Sequence, residues 1–301
     1  MYNVGLYGIT ILIWGSTWII TKYQVEETSA LLAVMFRYIL AVIILQIFFH
    51  FFKSKERHSK KTHILFFLLG SSLFCWNYVL FYSAAGSGLT TGLIAIIFST
   101  IISMNIANNA LIFKEYPQFS TVVGAIIGLI GLTLVFSEDI KEYIKTGLFS
   151  SILLCLLGTY LASIGNMLSK FLQQNNISVV SANNWGMTYG AITLIIVAIF
   201  YEQEIYIPMT YSFISGLLVL SILGSIIGFW AYLTLLGRVG ADKAAYAMIV
   251  FPIWALTLSW FFEGFHWTPL KISGVLIILI GNLFMLKKPK SNTNFKHDNY
   301  E

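Results

Sequence analysis

Arg37 stands inside an apolar stretch that runs from residue 30 to residue 52, about seven residues or ~10 Å of helix from its start. A guanidinium at that depth can snorkel along its own stem to the headgroups. It can also pair with an anion such as the carboxylate of a bound solute. Neutral hydrogen-bonding residues recur at helical spacing in other apolar stretches. Thr10, Trp14, Thr17 and Thr21 fall at i, i+4, i+7 and i+11 and form one stripe; Thr159, Ser163, Asn166 and Lys170 form a second; Asn105, Asn108 and Asn109 share one arc of a third. Such groups either tie helices together or line a cavity that holds solute. Aromatic side chains with a polar edge include Trp18, Trp76, Tyr78, Tyr82, Tyr160, Trp185, Tyr189, Trp230, Tyr232 and Tyr246. They suit an interfacial belt. Trp14, Trp76, Trp185 and Trp230 also suit a cavity wall, where stacking and cation–π attraction favour amphipathic or cationic solutes. The candidate substrate-binding set is Trp14, Thr17, Arg37, Trp76, Asn77, Tyr78, Asn105, Asn108, Tyr160, Asn166, Trp185, Trp230 and Tyr246.

Backbone freedom marks a second set. Gly86, Gly88 and Gly92, with Gly237 and Gly240, flank two of the connections, and Pro252 interrupts a later apolar run. Gly88, Gly92, Gly240 and Pro252 are the candidate gating positions. Glycine there serves either as a hinge or as a site of close helix packing. Catalytic signatures are missing from the sequence: no His-Glu-x-x-His, no Gly-x-Ser-x-Gly, no paired intramembrane aspartates and no Walker loop. His50, His58 and His63 gather near a basic loop and read as a solvated linker, not a metal site. No enzyme, cofactor or metal is expected. No carboxylate lies deep in an apolar run. Glu115 and Glu263 end theirs, as caps or interfacial ion pairs, so proton coupling has no obvious titrating residue.

The elements that must carry these residues follow from composition. Of 301 residues, 57% are hydrophobic and 10% charged, against roughly 25% charged in a typical soluble domain. Mean hydropathy is +0.79. So few charges exclude a typical soluble enzyme, a nucleic-acid-binding domain, a disordered chain and a disulfide scaffold. Cys75 and Cys155 lie in apolar runs and are expected to be free core thiols. A spanning helix takes about 20 apolar residues. Ten such spans are read, roughly 4–21, 30–52, 63–83, 90–112, 119–137, 147–170, 181–200, 212–236, 241–262 and 268–286. The opening Met-Tyr-Asn-Val-Gly has no basic start, so the first run is expected to be a retained helix and not a signal peptide. Long continuous runs exclude a β-barrel.

Orientation follows from Lys and Arg. With the N-terminus in the cytoplasm, Lys53, Lys55, Arg57, Lys60, Lys61, Lys114, Lys170, Arg238, Lys243, Lys287, Lys288, Lys290 and Lys296 fall inside. Lys22, Lys141, Lys145 and Lys271 fall outside, where Glu26, Glu27, Glu138, Asp139, Glu142, Glu202 and Glu204 also gather. Both termini are therefore expected in the cytoplasm.

The halves echo each other. Lys22 and Lys170, Gly92 and Gly240, and Glu115 and Glu263 each lie 148 residues apart. After a two-residue slip, Gly124-Ala-Ile-Ile-Gly-Leu-Ile-Gly131 answers Gly274-Val-Leu-Ile-Ile-Leu-Ile-Gly281. A third echo, Leu69-Gly70-Ser71 to Trp76-Asn77-Tyr78 against Leu223-Gly224-Ser225 to Trp230-Ala231-Tyr232, is 154 apart and needs gaps. Five helices per half is an odd number, so the halves enter the membrane from opposite sides. The expected fold is an all-α polytopic membrane protein of ten transmembrane helices in two inverted five-helix repeats. The divisions are 1–137, an outer linker 138–146, 147–288, and a disordered cytoplasmic tail 289–301.

The ordered set Trp14-Gly15-Ser16-Thr17 with Lys22, Phe36-Arg37-Tyr38, Ser87-Gly88-Leu89-Thr90-Thr91-Gly92-Leu93 and Phe113-Lys114-Glu115, echoed by Gly240-Ala241-Asp242 and Phe261-Phe262-Glu263-Gly264, resembles the EamA branch of the drug/metabolite transporter superfamily over nearly the whole chain. Pro252 departs from its repeat partner Met104. The resemblance implies a carrier whose helices 1–4 and 6–9 surround a central cavity, with 5 and 10 peripheral. It implies export or uptake of amino acids and other metabolites, in a bacterial inner membrane. The expected partners are a small-molecule substrate and the lipid bilayer, with no nucleic acid, the chain acting as a monomer or homodimer. A lipid flippase or a non-transporting scaffold are the alternatives.

Overall fold

The computed structural model describes residues 2–52, 57–239 and 241–285, most of them in helices and none in a β-strand. In chain order the helices are α1 (Tyr2–Glu27), α2 (Ala30–Phe52), α3 (Lys60–Gly86), α4 (Thr91–Phe113), α5 (Phe119–Ser137), α6 (Leu148–Gln174), α7 (Val179–Phe200), α8 (Tyr211–Val239), α9 (Ala241–Phe262) and α10 (Pro269–Met285). A connector helix, Ile140–Thr146, lies between α5 and α6. Apolar sequence of this length folds as helix because lipid offers the backbone no hydrogen-bond partner. Ser59, Ser178 and Thr210 cap α3, α7 and α8, each accepting a bond from the amide three residues on. Several turns use left-handed backbone: Gly88 at φ +99°, Gly147 at +80° and Lys114 at 61°.

Helices α1 to α8 are long and apolar enough to cross a membrane. Within the last two, the described residues include the apolar segments Val250–Phe262 and Pro269–Phe284. Side-chain contacts sort the helix ends into two faces. On the near face, where α1 begins, Arg238 of α8 donates to Asn3 at 3.2 Å and lies over the Tyr2 ring. On that face too, Lys170 of α6 meets Glu115 beyond α4 at 2.9 Å. On the far face Thr210 donates to Glu27, Ser29 to Gln203, and Glu263 accepts from Thr91. There Lys271 of α10 also pairs with Asp139 of the α5–connector turn at 2.8 Å, beside a Thr268–Glu138 hydrogen bond.

Helices α5 and α10 pack through glycine. A Cβ on Gly131 would come within 2.7 Å of the Gly274 carbonyl, and one on Gly281 within 2.6 Å of the Gly124 carbonyl. The backbones are in direct contact there. Around the remaining helices an apolar core includes Phe66, Phe74, Phe81, Phe213 and Phe251, each fully buried. Helix geometry departs from regular in three places: a π segment in α3 (Ser72–Trp76), another in α8 (Leu220–Ile227), and a break in α4 at Ser99–Thr100. In the break the two hydroxyls bond back to the Ile96 and Ile97 carbonyls. Pro252 sits buried inside α9, which remains helical through it.

Candidate functional site

A central cavity lies where all three irregularities converge. Its lining comes from α1 (Trp14, Thr17, Trp18, Thr21), α2 (Arg37), α3 (Leu73, Asn77, Tyr78, Phe81), α4 (Phe98, Ile101), α6 (Ala162, Asn166) and α8 (Phe229, Tyr232). Free space inside is about 30 Å³, enough for one or two waters and too little for an organic solute.

Arg37 is the only described charge in the cavity wall, and it is 2% exposed. It does not snorkel. Its Nε donates to Ser225 Oγ at 2.8 Å and an Nη donates to Tyr82 at 3.0 Å. Its guanidinium lies 4.4 Å from the Tyr78 ring centre and 5.6 Å from that of Tyr38. Among the described residues no carboxylate pairs with it. The π segment of α8 builds this seat. Ser221 donates to the Arg37 carbonyl, Ser225 accepts from the side chain, and the Gly224 carbonyl accepts from the Trp14 indole. Gly224 is close enough to Arg37 that a Cβ would lie 3.0 Å from Nη2. A π turn widens the helix and redirects carbonyls and hydroxyls, which is why such turns recur at functional sites.

Asn77 follows the π segment of α3, and its Oδ1 is buried without a partner. Trp14, Thr17, Asn77, Tyr78 and Asn166 therefore join Arg37 in the cavity. Asn105 stands behind Asn166, accepting from it at 3.4 Å. Asn108 donates to Ser163 at 2.9 Å and ties α4 to α6; it is absent from the cavity lining, so it acts as helix glue.

Four candidates fall elsewhere. Trp76 and Tyr160 are 39% and 45% exposed on the outer surface of the bundle, because the π segment and the 3.6-residue period turn them away from the centre. Trp185 lines a separate near-face cavity with His63. Trp230 lines an apolar crevice among α2, α7 and α8, next to Asn183. The Tyr246 side chain and Gly240 lie outside the described residues. Gly88 occupies a turn that needs positive φ. Gly92 is packing rather than hinge, since a Cβ would lie 2.7 Å from Ser259 and 3.0 Å from the Leu256 backbone. Phe81, Phe98, Ile101 and Phe229 were not expected in the wall. They carry no polar atom, and nothing in an apolar run distinguishes a cavity-facing Phe from a lipid-facing one.

At the near-face ends of α4 and α6, Lys170 donates to Asn109 at 2.8 Å and to both Glu115 oxygens at 3.0 and 2.9 Å, and it lies over the Phe113 ring. The Lys170 hydrogen bond holds the Glu115 carboxyl below its ordinary pKa, with Asn109 adding to it.

Described residues that lie mostly in helices, eight of these long and apolar enough to cross a membrane, arranged around a cavity with aromatic walls, fit a polytopic membrane protein. Comparison with known proteins gives the family. The EamA-like transporter family matches residues 5–137 and again 149–287, and the chain belongs to it. It is similar to "Uncharacterized transporter YoaV" of Bacillus subtilis, 28% identical over 94% of this chain and 95% of that protein. It is also similar to a "Probable amino-acid metabolite efflux pump" of Salmonella typhimurium, 20% identical over 91% of each. A solved structure with 11% identity superposes with a TM-score of 0.68 over 94% of this chain and 96% of that one, which is a likeness of fold.

Proposed function

We propose that this membrane transporter moves small carboxylate-bearing metabolites, amino acids among them, across a bacterial plasma membrane by alternating access, in the direction of efflux. The observation that carries the reading is Arg37, sealed in the central cavity with hydroxyls and aromatic rings as its only described partners. A buried charge without a counter-ion is costly. A solute carboxylate would supply the missing anion in a bidentate bond, and the aromatic wall would hold an apolar body. The partnerless Asn77 Oδ1 would accept a donor from the same solute, such as an ammonium. The relative named as an amino-acid metabolite efflux pump agrees in chemistry.

The architecture we propose for this is two inverted five-helix repeats, 1–137 and 147–288, joined by the linker 138–146, with the near face and both termini in the cytoplasm. Two contacts support it. Gly124 corresponds to Gly274 and Gly131 to Gly281, so an in-plane two-fold exchanges the Gly131–Gly274 and Gly124–Gly281 contacts with each other. The crevice among α2, α7 and α8 would favour a lipid substrate, but its lining of Ile44, Leu45, Phe48, Val180, Asn183, Ile226, Ile227 and Trp230 holds no charge for a headgroup.

Counterflow in proteoliposomes tests the reading. Preloaded vesicles should exchange carboxylate-bearing amino acids and fail to exchange the matching amines. Arg37→Ala should insert normally and lose flux by about tenfold to a hundredfold, the worth of a charged hydrogen bond. Equal flux with and without the carboxylate, or scrambling of labelled lipid in place of counterflow, refutes it.

A further inference from the structure

A hollow of about 720 Å³, larger than the central cavity, lies at the near face among the end of α2, the residues that lead into α3 and the start of α7. Its wall is built of Gln46, Phe49, His50, Arg57, His58, His63, Ser181, Asn184 and Trp185. Among the described residues no aspartate or glutamate lines it. We infer that this hollow is a binding site for a phosphate or phosphodiester anion, separate from the transport cavity. The naming of its side as cytoplasmic, and the comparison with the far face below, rest on the architecture proposed above.

The donors are held in place. His58 Nε2 and Ser181 Oγ share a 2.8 Å hydrogen bond, and the Tyr189 hydroxyl bonds His63 Nδ1 at 3.0 Å. With Tyr189 as donor, His63 is fixed as the tautomer that carries its proton on Nε2. The His63 ring stands edge-on to Trp185 at 4.7 Å and to Phe66 at 5.7 Å, so it has little freedom to turn. Asn184, 3% exposed, accepts from Gln46 through its oxygen at 3.2 Å, which leaves its amide N–H groups to the hollow. Arg57 is exposed at the rim. Imidazole, amide, hydroxyl and guanidinium groups converge from α2, from α7 and from residues 57–63, which lead into α3. That arrangement fits an anion with oxygens on several sides better than a planar carboxylate. The three histidines form no metal cluster among the described residues.

The rest of the molecule supplies a control. Ala33 and Phe36 lie 148 residues before Ser181 and Asn184. Both are buried, with Phe36 packed edge-on to Phe213 at 6.3 Å. The far-face counterpart is thus filled with apolar side chains, whereas the near-face position is hollow and donor-lined. Packing of an α2–α7 contact does not require the hollow.

The test uses the full-length transporter with its histidine ring nitrogens labelled, followed by NMR. Two probes are added: inorganic phosphate to protein in neutral detergent, and nanodiscs of phosphatidylglycerol set against phosphatidylcholine. Shifts of the His58 and His63 ring signals with both probes support the site. Shifts with phosphatidylglycerol only support it and assign the phosphate to a lipid headgroup; shifts with inorganic phosphate only support it and assign a free anion. Arg57→Gln, at an exposed position that leaves the fold intact, should weaken the response several-fold, and His63→Gln should abolish it. Absence of shifts with either probe, or shifts of equal size and affinity in both variants, overturns the inference.

Discussion

A guanidinium placed against hydroxyls and ring faces, with no carboxylate bonded to it among the described residues, is costly to bury. Replacing buried charge by an apolar side chain of like volume is often neutral, or stabilising by about 1–4 kcal/mol. Arg37→Met should therefore unfold at or above the parent's temperature while losing counterflow. A melting point several degrees lower would make Arg37 a structural strut. Ser225 holds Nε from the α8 π segment and does not itself need to touch the solute. Ser225→Ala should raise KM by roughly tenfold with kcat little changed, the worth of one hydrogen bond to a charged group; a fall confined to kcat would argue for a role in the conformational step. At the near face Glu115 has a lowered pKa, through its bond to Lys170. A lowered carboxylate contributes stability above its unfolded pKa and loses it as pH falls through the folded value. The Lys170–Glu115 contact should hold at neutral pH and release in acid below 4.5, the ordinary value. Glu115→Gln should remove that acid step from a near-face opening signal such as site-directed fluorescence.

Along the helices, close packing and irregular turns do separate work. Adding a side chain at Gly131 drives a Cβ into the Gly274 carbonyl and the Ile278 amide nitrogen, both at 2.7 Å. Backbone cannot yield as a flexible side chain can. Gly131→Leu should lose folded yield and lower the detergent melting point by several degrees. Gly5→Ala, where a Cβ meets nothing within 4 Å, should match the parent. Equal behaviour of the two would mean that the α5–α10 contact carries no stability. The glycines of α5 and α10 were legible in the sequence as an echo between the halves, and not as a contact between two helices. Arg37 was legible as a candidate, as a charge inside an apolar run. The two π segments were not. Yet the one echo that fitted badly, Leu69 to Tyr78 against Leu223 to Tyr232, falls on both of them. A π turn inserts residues into a helix, so a repeat read at constant spacing slips there. Trp76, Trp185 and Trp230 were misplaced for the related reason that spacing fixes a face of a helix but not what the face meets.

Across the whole molecule the two faces carry different helix-end contacts. On the near face Lys170 binds Glu115 and Asn109. The residues 148 positions away, Lys22 and Glu263, do not bind each other among the described contacts. Glu263 accepts from the Thr91 amide and hydroxyl at 2.9 and 2.7 Å, and Lys22 reaches Glu26 at 4.0 Å. If the two halves exchange conformations as they rock, the opposite state should form Lys22–Glu263 and release Lys170–Glu115. An exposed ion pair of this kind is worth about 0–1 kcal/mol, enough to shift a population up to about fivefold and too little to lock a state. The measurement that follows is a pair of spin-label distances, Gln118 to Asn175 on the near face and Tyr23 to Phe262 on the far face. Lys170→Ala should lengthen the near-face distance and shorten the far-face one together, and Glu263→Gln should oppose that shift. Both distances widening at once would mean that the pair is mere surface pairing. Neither moving would mean that the glycine-packed α5–α10 contact and the Lys271–Asp139 pair, and not the helix-end carboxylates, decide which face opens.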